Sequence, residues 1–120
     1  MSRWLVDGMN VVGSRPDGWW RDRRGAIARL VRELEQLDGE VAVVFDGMPF
    51  AVESERVEVV FASRRGRDAA DDDITARVAG DPEPASLTVV TSDAELERRV
   101  RAHGARVEGA GAFRRRLAGG

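Results

Sequence analysis

Short apolar runs alternate with longer amphipathic stretches along this chain of 120 residues. That alternation is the signature of strand and helix units wound around a mainly parallel sheet. Five strands are predicted, at about 3–7 (Arg-Trp-Leu-Val-Asp), 40–46 (Glu-Val-Ala-Val-Val-Phe-Asp), 56–61, 87–91 (Leu-Thr-Val-Val-Thr) and 105–108. Two of them are almost wholly apolar, as central strands covered on both faces should be. A helix is predicted over 21–37, where Ile27, Leu30, Val31, Leu34 and Leu37 recur at helical spacing, with others over 70–79 and 94–103. Gly39, Gly80 and Gly104 follow these helices and are read as left-handed C-terminal caps. Arg114 to Leu117 is read as a final short turn, and Asp81-Pro82-Glu83-Pro84 as a helix-to-strand loop. No repeat or internal boundary interrupts the pattern, so one α/β domain is expected over residues 1–120.

A chain of this length buries roughly two thirds of the surface its unfolded form exposes, enough for one ordinary core. Composition then removes several chemistries. There is no cysteine, which excludes disulfides, thiolate zinc sites and cysteine nucleophiles. His103 is the only histidine, so a catalytic triad or a multi-histidine metal site is out of reach, and its place at a helix end suits a surface or capping role. Any catalysis must rest on carboxylates, arginines and bound metal. No run approaches the roughly 20 apolar residues of a membrane span, and the chain opens on a strand rather than a signal peptide. A cytoplasmic protein without a membrane partner is the expectation. All 19 basic residues are arginine, a bias that suits a GC-rich genome better than a binding task. The net charge of -2 hides a distribution. Once Asp7, Asp46, Asp71, Asp72 and Asp93 are set aside as neutralised by metal, the remainder is mildly basic, which permits a nucleic-acid partner.

Those aspartates recur at one kind of position. Asp7 ends Trp-Leu-Val, Asp46 ends Val-Val-Phe, and Asp93 follows Val89-Val90-Thr91 by two residues. Carboxyl ends of parallel strands lie along one edge of the sheet, where ligand sites form. Ala70-Asp71-Asp72-Asp73-Ile74 adds a fourth acidic group where a helix begins. Taken alone, that run reads as first-turn helix stabilisation. Beside three strand-end aspartates it completes an acidic pocket, whose mutual repulsion calls for a cation. Oxygen-only ligands suit Mg²⁺ or Mn²⁺ rather than zinc. Gly8 is expected to let a backbone or substrate approach closely, and Asn10 offers an amide beside Asp7; the competing reading of Asp7-Gly8 is a tight turn. Asp46-Gly47 is equally compatible with a simple turn. Ser92 is expected to cap the helix that follows it while Asp93 points into the pocket.

In order and wording, Val6-Asp7-Gly8-Met9-Asn10, Val44-Phe45-Asp46-Gly47, Val59-Val60-Phe61 followed by Ala70-Asp71-Asp72-Asp73-Ile74, and Val90-Thr91-Ser92-Asp93 resemble the NYN domain of the YacP-like branch of the PIN-like ribonucleases. The likeness runs from residue 3 to about residue 113, with Met9 where the family often has an aromatic. It implies a three-layer PIN-like fold and a metal-dependent endoribonuclease of RNA processing or decay. It carries the catalytic set onto Asp7, Asp46, Asp71 and Asp93, with Asn10 in support. Neighbouring helical residues point about 100° apart, so Asp71 and Asp72 are not expected to share one role; the family's Ala-Asp falls on Asp71, and Asp72 is its neighbour or substitute as a metal ligand. RNA is the implied partner, the ribosome or translation machinery a further candidate, and the oligomeric state is open.

The expected reaction is hydrolysis of an RNA phosphodiester by water activated on one or two Mg²⁺ or Mn²⁺ ions. Arg15, Arg64, Arg65 and Arg67 flank the acidic motifs as candidate phosphate contacts, although such a loop can equally be a solvated one. Trp19 and Trp20 are candidates for base stacking or for fastening the first long helix to the core, and Arg114-Arg115-Arg116 reads as a solvated helix face. The alternative is a catalytically silent PIN-like module that only binds RNA. A phosphatase of the paired-aspartate type wants a second aspartate where Met9 stands, a receiver domain wants a lysine, and no phosphate-binding glycine loop follows the first strand.

Overall fold

The computed structural model describes residues 2–63, Gly66 and residues 68–119. Five strands form one sheet: β1 (Arg3–Asp7), β2 (Glu40–Phe45), β3 (Glu58–Phe61), β4 (Leu87–Val90) and β5 (Arg106–Glu108). Their order is β3-β2-β1-β4-β5, with every neighbouring pair parallel. The chain winds outward from β1 in one direction to β3, then returns to β1's other side with β4. A crevice therefore opens beyond the carboxyl ends of β1 and β4, the place where such sheets bind ligands.

Alternation along the central strands sends side chains to two separate cores. Val6, Val41, Val43, Phe45 and Val90 face a cluster built with α1 (Gly8–Gly13), α2 (Arg23–Leu34) and α5 (Ala110–Ala118). Leu5, Val44, Leu87 and Val89 face the other, built with α3 (Ala69–Ala79) and α4 (Ala94–Ala102). The result is the expected three-layer α/β arrangement.

Several boundaries move. The first long helix is shorter than its apolar repeat: Asp22 caps it by accepting the Gly25 N–H at 3.0 Å, and regular helix ends at Leu34. Gly39 (φ +94°) and Gly104 (φ +97°) are left-handed, but Gly80 closes α3 in right-handed geometry. The Asp7-Gly8 turn is the start of α1, whose Val11 and Val12 are buried. A Cβ on Gly8 would collide with the buried ring of Phe45, so the close approach there is to the core, not to a substrate. The short turn expected at 114–117 belongs to the nine-residue helix α5. Ala110, Phe113 and Leu117 make its apolar stripe, and Phe113 meets Trp4 at 5.5 Å between ring centres. No helix among the described residues is long and apolar enough to cross a membrane.

Candidate active site

Asp7 stands at the end of β1, only 5 % exposed. Its partner is Thr91, fully buried, whose hydroxyl donates to Asp7 Oδ2 at 2.9 Å. The same Thr91 oxygen accepts the Asp93 N–H at 3.1 Å. A hydroxyl has one proton, and with a backbone donor already aimed at its oxygen that proton is directed to Asp7. Thr91 thus joins the ends of β1 and β4 through a bond whose polarity is set by the loop.

Asp93 is the N-cap of α4, accepting the Leu96 N–H at 2.9 Å. The capping role expected of Ser92 is therefore reversed: the Thr91–Asp93 contact turns the chain so that Asp93 begins the helix. Ser92 serves elsewhere, its hydroxyl accepting the Ala110 N–H at the start of α5 at 2.8 Å. Asn10 Oδ1 accepts the Ser92 N–H at 2.9 Å, so α1, the β4–α4 loop and α5 are tied around Asp7.

Asp46 follows β2, and its Oδ1 accepts the Ala70 N–H at 2.9 Å. This bond satisfies one of the orphan donors at the start of α3, where Asp68 occupies the cap position without a capping bond of its own. The Asp46 carbonyl accepts from Arg23 Nη2, and Arg23 lies against Gly47, which turns the chain at φ +99°.

The three consecutive aspartates of α3 separate as helical geometry requires. Asp72 pairs with Arg99 of α4 at 3.0 Å. Asp73 accepts from the Ser63 N–H at 2.7 Å and hydroxyl at 2.9 Å. Asp71 is left in the electrostatic field of the others. Burial and the charges of Asp93, Asp68 and Asp46 push its carboxyl up to about 6, with Arg99 opposing. Burial pushes Asp7 up to about 7, and the charges of Asp71 and Asp46 add to the rise, while the Thr91 hydroxyl and the Asn10 N–H act against it. Asp7 thus lies in the field of Asp71 and Asp46, and Asp71 in that of Asp93, Asp68 and Asp46. Among the described residues, no three acidic or histidine side chains converge into a ready-made metal cage.

Arg15, a candidate phosphate contact, is paired with Glu33 of α2 at 2.6 Å with its side chain 12 % exposed. Arg64, Arg65 and Arg67 lie outside the described residues. Trp19 packs on the core while Trp20 is 62 % exposed. His103 sits at the exposed C-terminus of α4. Three neighbours of the acidic group were not predicted as such: Thr91, Asp68 and Arg23. Thr91 carried a signal, a polar residue ending an apolar strand just before an aspartate. Asp68 reads in sequence as an ordinary cap, and nothing local in the sequence links Arg23 to Asp46.

Among solved structures, the chain is similar to Rae1 (YacP) from Bacillus subtilis, at 25 % identity and a TM-score of 0.80, over 98 % of this chain and 74 % of that one. A tryptophan-to-leucine variant of the same protein matches at 26 % identity and a TM-score of 0.81, over 98 % of this chain and 76 % of that one. No match is found among curated proteins. The model of the YacP-like NYN domain matches residues 4–119. With nearly the whole chain matched and the aspartates of its four motifs gathered at one sheet edge, the chain belongs to the YacP-like NYN domain family, and its fold is of nuclease type.

Proposed function

We propose that this chain is a metal-dependent endoribonuclease that hydrolyses RNA phosphodiesters in RNA processing or decay. The observation that carries the reading is that Asp7 and Asp71, from separate parts of the chain, are buried or half-buried within reach of each other's charge and of the charges of Asp46 and Asp93. A buried carboxylate held against like charges is unfavourable for folding alone and points to a function.

The donor set fits Mg²⁺ or Mn²⁺. Its atoms are all oxygens, its charges repel without a cation, and such ions bind through one or two carboxylates while keeping several waters and taking up substrate phosphate oxygens. A preassembled three-carboxylate cage is not required for that mode. Asp7 and Asp71 are the residues best suited to hold the ion, with Asp46 and Asp93 completing the pocket. When bound, the ion would supply acidity to an attacking water and counter-charge to the phosphoryl oxygens. The chain's own residues do the positioning. Thr91 orients Asp7, the Ala70 N–H orients Asp46, and the Leu96 N–H orients Asp93. Asn10 and Ser92 fix the loop that carries Thr91 and Asp93.

The test is to follow end-labelled RNA incubated with the protein and with Asp7→Asn, in Mn²⁺ or Mg²⁺ and separately in EDTA. Fragments that require both the metal and Asp7 are expected. Intact RNA with a folded protein under every condition would favour the silent RNA-binding reading, and cleavage surviving in EDTA would remove the metal from the mechanism.

A further inference from the structure

We infer that Trp20, together with Arg21 and Arg23, forms a seat for an unpaired nucleotide beside the acidic edge, making single-stranded RNA the form this site takes. The inference rests on the nuclease reading for its substrate class. Trp20 and Met48 are the two large apolar side chains left exposed among the described residues, at 62 % and 54 %. Both belong to the carboxyl edge of the sheet. Met48 lies two residues beyond Asp46, and Trp20 lies in the single helical turn Trp19–Arg21 that leads into α2. The start of α2 is fastened to that edge by Arg23, which donates to the Asp46 carbonyl.

Trp20 is held, not merely exposed. Trp19 is packed into the core and meets the Trp20 ring edge-on, with centres 6.1 Å apart at 87°. The Arg21 guanidinium lies 5.7 Å from the centre of the Trp20 ring. A rigid indole loses little conformational freedom when a flat partner stacks on it, and every nucleobase presents such a face. The chemistry beside the ring selects the partner. Arg21 and Arg23 make no ion pair among the described residues, whereas Arg15 and Arg29 on neighbouring turns are paired with Glu33 and Asp17. The Arg21 guanidinium beside the ring and that of Arg23, two residues on and held at the Asp46 carbonyl, match a phosphate joined to a base better than they match an apolar protein surface. They also counter the repulsion that the aspartates exert on an incoming phosphate chain. A base within a duplex is already stacked and cannot occupy the indole, so the seat discriminates by strandedness.

The test measures anisotropy of a dye-labelled single-stranded oligoribonucleotide and of a blunt-ended duplex of the same length, in EDTA so that binding is read without cleavage. Trp20→Ala is expected to weaken single-strand binding by roughly 5- to 150-fold, the range for losing one stacked base, and to leave the duplex unchanged. Trp20→Phe should retain most of the affinity. Arg23→Gln should lower the slope of log K against log salt by about one phosphate contact. Single-strand binding that Trp20→Ala leaves intact, loss of both RNA forms together, or no single-strand binding by the parent protein would each overturn the proposal. A parallel cleavage assay on the parent and Asp7→Asn keeps the two readings apart. Trp20-dependent binding without cleavage sinks the nuclease reading and preserves the seat, while Asp7-dependent cleavage that ignores Trp20 does the reverse.

Discussion

Replacing Asp7 by Asn is expected to make the metal-free protein more stable while abolishing cleavage. Asp7 has an ordinary value of 3.8 in the unfolded chain and is pushed up to about 7 in the fold. Below the unfolded value both states are protonated and the group contributes no difference. Between there and pH 7 the folded state holds a proton that the unfolded state has lost, so stability falls as pH rises through this window. Above it the full penalty stands, about 4 kcal/mol as an upper figure at 1.36 kcal/mol for each tenfold change in proton affinity. Asn removes the charge and keeps an oxygen for the Thr91 hydroxyl. Its amide then needs an acceptor, and failure to find one returns about 1–3 kcal/mol. A net gain of about 1–3 kcal/mol at pH 8 follows, read as a rise of several degrees in Tm for a domain of this size. The assay is urea and thermal unfolding of both proteins in EDTA at pH 8 and pH 5. The advantage of Asp7→Asn should shrink by about 2 kcal/mol at the lower pH, where much of the parent's penalty is relieved. Mn²⁺ should also narrow it at pH 8 by stabilising the parent alone. An Asn variant less stable than the parent at pH 8, or a gap indifferent to pH, would refute the argument from burial and repulsion.

Thr91→Val should destabilise the fold by about 1–3 kcal/mol in urea unfolding, since it strips a hydrogen bond from buried Asp7 and from the Asp93 N–H at once; Thr91→Ser should recover most of this. Gly8→Ala should cost about 1–3 kcal/mol by the same measurement, because the added methyl meets the Phe45 ring in a packed core. Asp71→Asn should lower RNA cleavage by about 100-fold, the scale of losing one fixed electrostatic group, whereas Asp72→Asn should retain most of the rate because Asp72 is turned toward Arg99. Equal losses in the two variants, measured by initial rates on the same RNA, would return the choice of fourth carboxylate to open ground.

What could be read in advance follows from how local each signal is. The strands announced themselves because a parallel sheet covered on both faces demands apolar runs, and Val41 to Phe45 or Leu87 to Val90 fit nothing else well. Strand-end aspartates were legible because topology alone sends those ends to one edge. Helix α1 was not legible: six residues with two glycines carry no helical period, and the segment is helical because Val11 and Val12 find the core. Helix α5 hid behind Arg114-Arg115-Arg116, although Ala110, Phe113 and Leu117 carried its stripe. Capping was misassigned between Ser92 and Asp93 because both residue types cap well, and the outcome depends on Thr91 taking the Asp93 N–H. Arg23 beside Asp46 is a contact between residues distant in sequence, which periodicity cannot supply.

The two edges of the sheet handle charge in opposite ways, and the contrast bears on function. At the amino edge, Arg3 donates to Asp81 at 2.6 Å and to Glu40 at 3.0 Å, and Arg77 pairs with Glu58 at 2.5 Å. Arg56 donates there to the carbonyls of Gly39 at 3.0 Å and Glu35 at 2.7 Å. Each of these cations has its partner within the chain. At the carboxyl edge Asp72 has Arg99 and Arg23 has the Asp46 carbonyl, but Asp7 and Asp71 are left beside like charges that raise their affinity for protons, and Arg21 and Arg23 make no ion pair with a carboxylate among the described residues. A sequence selected for stability alone would exchange partners across that edge as it has across the other. The imbalance is one that a divalent cation and a phosphate chain would relieve together, the cation taking the aspartates and the phosphates taking the arginines. Under this reading, metal and RNA should bind with positive cooperativity. Mn²⁺ affinity measured with and without an uncleaved single strand bound would decide the point, and equal affinities would show the two charge sets to be independent.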